Sequence, residues 1–141
     1  MSNKSNGTAF EREFAELLSA EGFWAHCLKD NVNGQPFDVI AARNGRTYVF
    51  DCKDCQTDRF ALSRIEENQH NSMRLWAETG NHQGLFAIKF SGRIYLMPHR
   101  MLEVLTENGT KSISEIEARR YGQTLEQWCY LQHRVDKAVE R

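Results

Sequence analysis

A chain of 141 residues that is 40% hydrophobic and 11% aromatic has the length of one domain with a core of its own. Apolar runs such as Leu85-Phe86-Ala87-Ile88 are too short to cross a bilayer, and the polar start Met1-Ser2-Asn3-Lys4-Ser5-Asn6 has no signal-peptide apolar region. A cytoplasmic protein without a membrane partner is expected. A formal net charge of −1 at pH 7 excludes a global field that gathers nucleic acid, so any such contact must come from a local basic surface, for which Arg43, Arg46, Arg59, Arg64, Arg74, Arg93 and Arg100 are available.

Thr8-Ala9-Phe10-Glu11 has capping-box spacing, and Phe10, Phe14, Leu17 and Leu18 follow at helical intervals up to Gly22, which predicts an amphipathic helix. Phe23 to Leu28 reads as a strand, followed by a polar loop from Lys29 to Gln35. Phe37 to Ala42 and Thr47 to Cys52 are β-like runs around Arg43-Asn44-Gly45-Arg46, whose Asn-Gly centre is a strong hairpin signal. Both faces of that hairpin are apolar, which places it centrally in a covered sheet.

Ser63-Arg64-Ile65-Glu66 is a second capping-box pattern, opening a helix with Ile65, Met73 and Trp76 on one stripe and an end near Gly80. Leu85 to Phe90 and Ile94 to Met97 flank Ser91-Gly92 as another hairpin, closed by Pro98, and Met101 to Leu105 reads as a short helix. Residues 1–105 thus form an α-β-β-β-α-β-β core. Residues 106–141 form a C-terminal helical extension, with helices from Ile113 to Tyr121 and Leu125 to Val139, the latter presenting Leu125, Trp128, Gln132, Val135 and Val139 on one face. That extension is expected to pack on the core or at a dimer interface.

Four cysteines, Cys27, Cys52, Cys55 and Cys129, are expected to stay reduced. Cys52-Lys53-Asp54-Cys55 raises zinc or thiol chemistry, but no second such pair exists and the histidines follow no zinc-ligand spacing. His26, His70, His82, His99 and His133 are scattered and form no recognisable catalytic pair, while Trp24, Trp76 and Trp128 read as core or interface anchors.

The chemistry lies in the first hairpin. With Asn44-Gly45 at its centre, Arg43 pairs with Arg46, and counting outward sets Asp38 opposite Asp51, their Cβ atoms about 4.5 to 5.5 Å apart on one face. Two carboxylates so placed in an apolar hairpin repel and are costly to bury, so something cationic is expected between them. Strand periodicity puts Lys53 on the same face and Cys52 on the other. Mg²⁺ or Mn²⁺ suits hard oxygen ligands that also bridge to phosphate, and the expected reaction is phosphodiester hydrolysis with Lys53 steadying charge or orienting water.

These residues resemble a known family. Gly7-Thr8-Ala9-Phe10-Glu11-Arg12, Gly22-Phe23, Pro36-Phe37-Asp38-Val39-Ile40-Ala41 and Asp51-Cys52-Lys53 look like the ordered motifs of PD-(D/E)XK nucleases, and most resemble Holliday junction resolvases. Similarity to the RecU type continues through Phe60-Ala61-Leu62, Gln69, Met73 and Ile94-Tyr95-Leu96-Met97-Pro98, and the archaeal resolvases are also similar. One residue separates Pro36 from Asp38, and the insertion that forms the RecU stalk is absent from the short loop before Pro36.

The resemblance implies a restriction-endonuclease-like mixed sheet flanked by helices, Mg²⁺-dependent cleavage (Mn²⁺ substituting) and a homodimer on branched DNA. It implies Glu11, Asp38, Asp51 and the backbone carbonyl of Cys52 as metal ligands, Lys53 as the catalytic lysine, and Gln69 as the glutamine of the following helix. Pattern alone leaves Glu11 and Glu13 equal, and the resemblance selects Glu11. Gln69 interrupts an apolar stripe, so it is either a buried hydrogen-bonded amide or a residue facing the site. Arg12, Lys29, Arg43, Arg59, Arg64 and Arg74 are the expected DNA contacts. Competing readings keep the metal site but cut flaps, nicks or duplex DNA, or keep the fold as a catalytically silent DNA-binding or inhibitor protein.

Overall fold

Phe10, Phe14 and Leu18 are spaced to fall on one side of a helix, and they form the buried side of α1 (Asn3–Ala20). The computed structural model describes residues 3–28 and 35–140, with side chains from Thr8 to Asp136. The helix begins before Thr8, so Thr8 and Glu11 are interior positions and not a cap; Thr-x-x-Glu caps only where the preceding backbone leaves the helix, and here it continues it. At the other end Gly22 takes φ +91°, and Phe23 N donates to Leu18 O at 3.0 Å while Gly22 N donates to Ser19 O at 3.1 Å. This glycine-dependent cap turns the chain into β1 (Trp24–Cys27).

β2 (Val39–Arg43) and β3 (Arg46–Cys55) form the expected hairpin, with Asn44 at φ 49° and Gly45 at φ 79° and Arg43 opposite Arg46. The chain then adds a short strand β4 (Arg59–Ala61) and a 3₁₀ turn, Leu62–Arg64, before α2 (Glu67–Glu78). α2 therefore starts later than the Ser63 pattern suggested. Its N-cap is Glu66, whose backbone N donates to Gln69 Oε1 at 2.9 Å, and Ser63 lies within the 3₁₀ turn.

β5 (Leu85–Phe90), β6 (Arg93–Pro98) and α3 (His99–Glu107) follow as predicted. Beyond them, part of the expected helix from Ile113 is the strand β7 (Ser112–Ser114), so α4 is shorter (Glu115–Tyr121), and β8 (Gln123–Thr124) precedes α5 (Leu125–Glu140).

The main sheet has the order β1-β2-β3-β5-β6-β8, with β3 and β5 parallel and every other neighbouring pair antiparallel; β4 and β7 pair separately. Alternation along β3 sends Tyr48, Phe50 and Cys52 into a core with α1 and with Leu125, Trp128 and Cys129 of α5. Val49 faces the other core, with Met73 of α2, Leu102 and Leu105 of α3, and Phe60 and Ile113 of the small sheet. Val135 of α5 is 42% exposed, so the buried face of that helix runs instead through Leu125, Trp128, Cys129 and Asp136. Trp128 is buried, whereas Trp24 is 62% exposed on β1.

All four cysteines are free thiols. Three residues apart on a strand is an odd offset, so Cys52 enters one core and Cys55 the other, and the pair cannot share a ligand.

Candidate active site

Asp38 immediately precedes β2, and its backbone ties it on both sides: its N donates to Phe50 O at 3.0 Å and its carbonyl accepts from Leu28 N at 2.9 Å. The pairing of Val39 with Phe50 carries Asp38 to the level of Asp51. The carboxyls of Asp38 and Asp51 are hydrogen-bonding neighbours, and Asp38 Oδ2 also accepts from Cys52 N at 2.8 Å. The hairpin register has thus set two acids side by side.

Lys53 Nζ lies 3.4 Å from Asp51 Oδ1 and donates to Gln69 Oε1 at 3.0 Å. Gln69 therefore has two tasks. Its side-chain oxygen caps the first turn of α2 through Glu66 N and holds the ammonium of Lys53, so this half-buried amide faces the lysine instead of being sealed in the core.

Glu11 reaches the same place from α1. Burial first, and then the negative charges of Asp38, Asp51 and Glu11, push the Cys52 thiol well up, so the Glu11 charge is felt at this level of β3. The Glu11 carbonyl also accepts from Cys27 Sγ at 3.4 Å, which fastens α1 to β1 beside it. Glu13 is engaged elsewhere, where Lys89 Nζ donates to both its oxygens at 3.0 Å.

Asp51 is only 2% exposed, and its carboxyl is pushed up to about 7, by burial first and then by Asp38, with Lys53 opposing. Its Oδ1 is buried and is met only by the Lys53 ammonium 3.4 Å away, without a well-formed hydrogen bond. A buried carboxylate so weakly matched beside a second carboxyl is costly, and a divalent cation would relieve the repulsion. The donors aimed at this point are oxygens, while the Cys52 sulfur is on the far face, so the residues fit a hard ion such as Mg²⁺ or Mn²⁺.

The predicted basic contacts are dispersed. Arg43 is at the hairpin turn, bound to Asp136 at 2.6 Å and to Gly22 O at 2.8 Å. Arg59 pairs with Glu117 at 3.2 Å and Arg74 with Glu103 at 2.7 Å. Arg64 donates to Asp54 O at 3.1 Å, one residue past Lys53, and Arg12 is exposed beside Glu11. Lys29 lies outside the described residues.

One grouping escaped the sequence: His70 Nδ1 and His99 Nε2 are 2.9 Å apart, with Glu103 beside them. The histidines are not all scattered, because the packing of α2 on α3 joins two that are 29 residues apart. The only local signal was the His99/Glu103 spacing of four on one helix.

Glu11 on α1, Asp38 just before β2, and Asp51 with Lys53 on β3 of a mixed sheet, in the order Glu, Asp, Asp-x-Lys, have the pattern of a PD-(D/E)XK nuclease core. The family model for archaeal Holliday junction resolvases (Hjc) matches residues 2–131, and the chain belongs to that family. The crossover junction endodeoxyribonuclease Hjc of Methanocaldococcus jannaschii is 28% identical over 102 residues, 72% of each chain. The solved structure of Hjc from Archaeoglobus fulgidus, a Holliday junction resolvase from an archaeal hyperthermophile, matches with TM-score 0.65 and 21% identity, covering 87% of this chain and 99% of that one, and so shares the fold.

Proposed function

We propose that this chain is a Mg²⁺-dependent endonuclease that resolves four-way DNA junctions, working as a homodimer in the cytoplasm. The observation that carries the reading is the meeting of Asp38 and Asp51 on one face of the sheet, with Lys53 steadied there by Gln69. Asp38, Asp51, Glu11 and the Cys52 carbonyl are the proposed ligands of Mg²⁺, for which Mn²⁺ substitutes. When bound, the ion supplies Lewis-acid polarisation of the scissile phosphate and a more acidic water.

The protein's own groups do the rest. Asp51 and Asp38, fixed by backbone hydrogen bonds and burial, need little reorganisation when charge develops. Lys53 presents its N–H donors toward the phosphoryl oxygens, and Gln69 keeps the ammonium from collapsing fully onto Asp51. Arg12, next to Glu11 in the chain, and Arg64, which reaches the Asp54 carbonyl one residue past Lys53, are the favoured phosphate contacts. Arg43, Arg59 and Arg74 are already held by carboxylates. Phosphate contacts of this kind position DNA, and junction shape supplies selectivity. Among the described residues no helix is long and apolar enough to cross a membrane.

The test is cleavage of a synthetic four-way junction with Mg²⁺ beside duplex, flap and single-stranded DNA. The junction should be cut preferentially, and Asp51→Asn and Lys53→Met should each lose roughly a hundredfold or more in rate. Equal activity of both variants would remove the site. Preferential cutting of flap or duplex would reassign the substrate, and junction binding without products under any divalent ion would favour the silent binding protein.

A further inference from the structure

His70 follows Gln69 on α2 and is half-buried, while His99 opens α3 and is buried at 4% exposure. Glu103, four residues along α3, places Oε1 3.5 Å from His99 Nδ1, and one ligand atom from each of the three residues lies within 4.8 Å of the other two. We propose that His70, His99 and Glu103 bind a borderline divalent cation of the Zn²⁺ type, at a site distinct from the nuclease carboxylates.

Two imidazoles and a carboxylate with one solvent position make an ordinary three-ligand zinc set. Nitrogens bound at about 2.0 to 2.1 Å in tetrahedral geometry stand roughly 3.3 Å apart. Through His99 Nε2 the observed 2.9 Å needs only a few tenths of an ångström of opening, as the ring-to-ring hydrogen bond gives way to the ion, while Glu103, which faces the other nitrogen of that ring, His99 Nδ1, has to turn its Oε1 toward the ion. A cavity of about 200 Å³ reaches His99 and Glu103, with Arg74 and Arg100 also on its wall, and brings solvent to that side of the cluster.

The surroundings also select the ion. Arg74 Nε donates to Glu103 Oε2 at 2.7 Å and so fixes the carboxylate, and Arg100 lies 3.8 Å from Oε1. The two guanidiniums offset the Glu103 charge and weaken the pull on any divalent cation alike, so discrimination against Mg²⁺, which relies on oxygen ligands, comes from the two ring nitrogens. Imidazole nitrogens favour Zn²⁺ over Mg²⁺ by their softness. Occupancy ties α2 to α3 directly behind Gln69, the residue that holds Lys53.

The experiment is calorimetric titration of the full chain with ZnCl₂ in excess Mg²⁺, paired with the visible spectrum of the Co²⁺-loaded protein. The expected result is one Zn²⁺ per chain and tetrahedral Co²⁺ bands. At least tenfold weaker binding is expected in His70→Ala and Glu103→Gln, and unchanged binding in Asp51→Asn. Circular dichroism identifies the folded variants, and Glu103→Gln, which keeps the side chain's shape, serves if His70→Ala does not fold. No Zn²⁺ binding by the folded wild type, undiminished binding in the folded variants, or binding lost only in Asp51→Asn would each overturn the site. Because none of these readouts is cleavage, the result stands apart from the fate of the nuclease reading.

Discussion

Asp51 has two demands on it that conflict when no cation is near. Its backbone belongs in the middle of the sheet, while its side chain carries a charge that burial and Asp38 both oppose, so the carboxyl is pushed up to about 7 from an ordinary 3.8. A carboxyl that holds its proton more tightly folded than unfolded stabilises the fold at acid pH. That contribution is full below the ordinary value and is lost as pH rises through about 7. In EDTA, the stability of the wild type relative to Asp51→Asn should therefore fall between pH 4 and 8 by a few kcal/mol, since each tenfold difference in proton affinity is worth about 1.4 kcal/mol. Urea denaturation of the pair reads this, and a flat difference would deny Asp51 its buried, raised state. Mg²⁺ should reverse the loss, since it binds the ionised form.

Gln69 is a positioning residue on the same scale. Gln69→Ala should lower cleavage about tenfold through a wandering Lys53 and cost ~1 kcal/mol through the lost cap. Gln69→Glu should restore the stability but shift the pH profile of cleavage, a readout that a purely structural cap would not move. The facing of Asp38 and Asp51 was legible from residue order, because a two-residue turn fixes register and register fixes facing pairs. The double use of Gln69 was not, since it depends on where α2 begins.

At the scale of elements, the long periodic segments were readable and the short ones were not. β4, β7 and β8 have three, three and two residues, too few for any period, and exist because a partner strand is adjacent. β8 shows what holds such a strand. Gly122, just before it, comes so close to β6 that an added methyl would meet Leu96 O at 2.5 Å and Ala118 O at 3.1 Å, both backbone atoms that cannot rotate away. Gly122→Ala should cost roughly 1 to 3 kcal/mol by thermal unfolding and speed amide exchange along the β6 edge, where Tyr95 and Leu96 pair with β8. Unchanged exchange there would show that β8 is not a tight closure. The His70 and His99 pair belongs to the same lesson, as a contact between helices separated by a β-hairpin leaves no local trace.

For the whole molecule, the net charge of −1 stops mattering once the acids are seen to gather at one point and to pair with arginines elsewhere. Resolving a junction needs two symmetric cuts, and one chain carries one such point, so the proposed homodimer is a requirement of the reaction as well as of symmetry. The outward side of α5 retains Tyr130 at 62%, Leu131 at 40% and Val135 at 42% exposure, apolar area suited to a two-fold contact. Leu131→Glu should then convert the dimer to monomer in light scattering. A stricter test uses a supercoiled plasmid with an extruded cruciform: paired incision yields linear product, and single incision yields nicked circles. Wild type co-refolded with excess Asp51→Asn should give mainly nicked circles, because most active subunits then have an inactive partner. Linear product persisting in proportion to the wild-type fraction alone would mean that each cut is made without a partner, and the dimeric reading would fall.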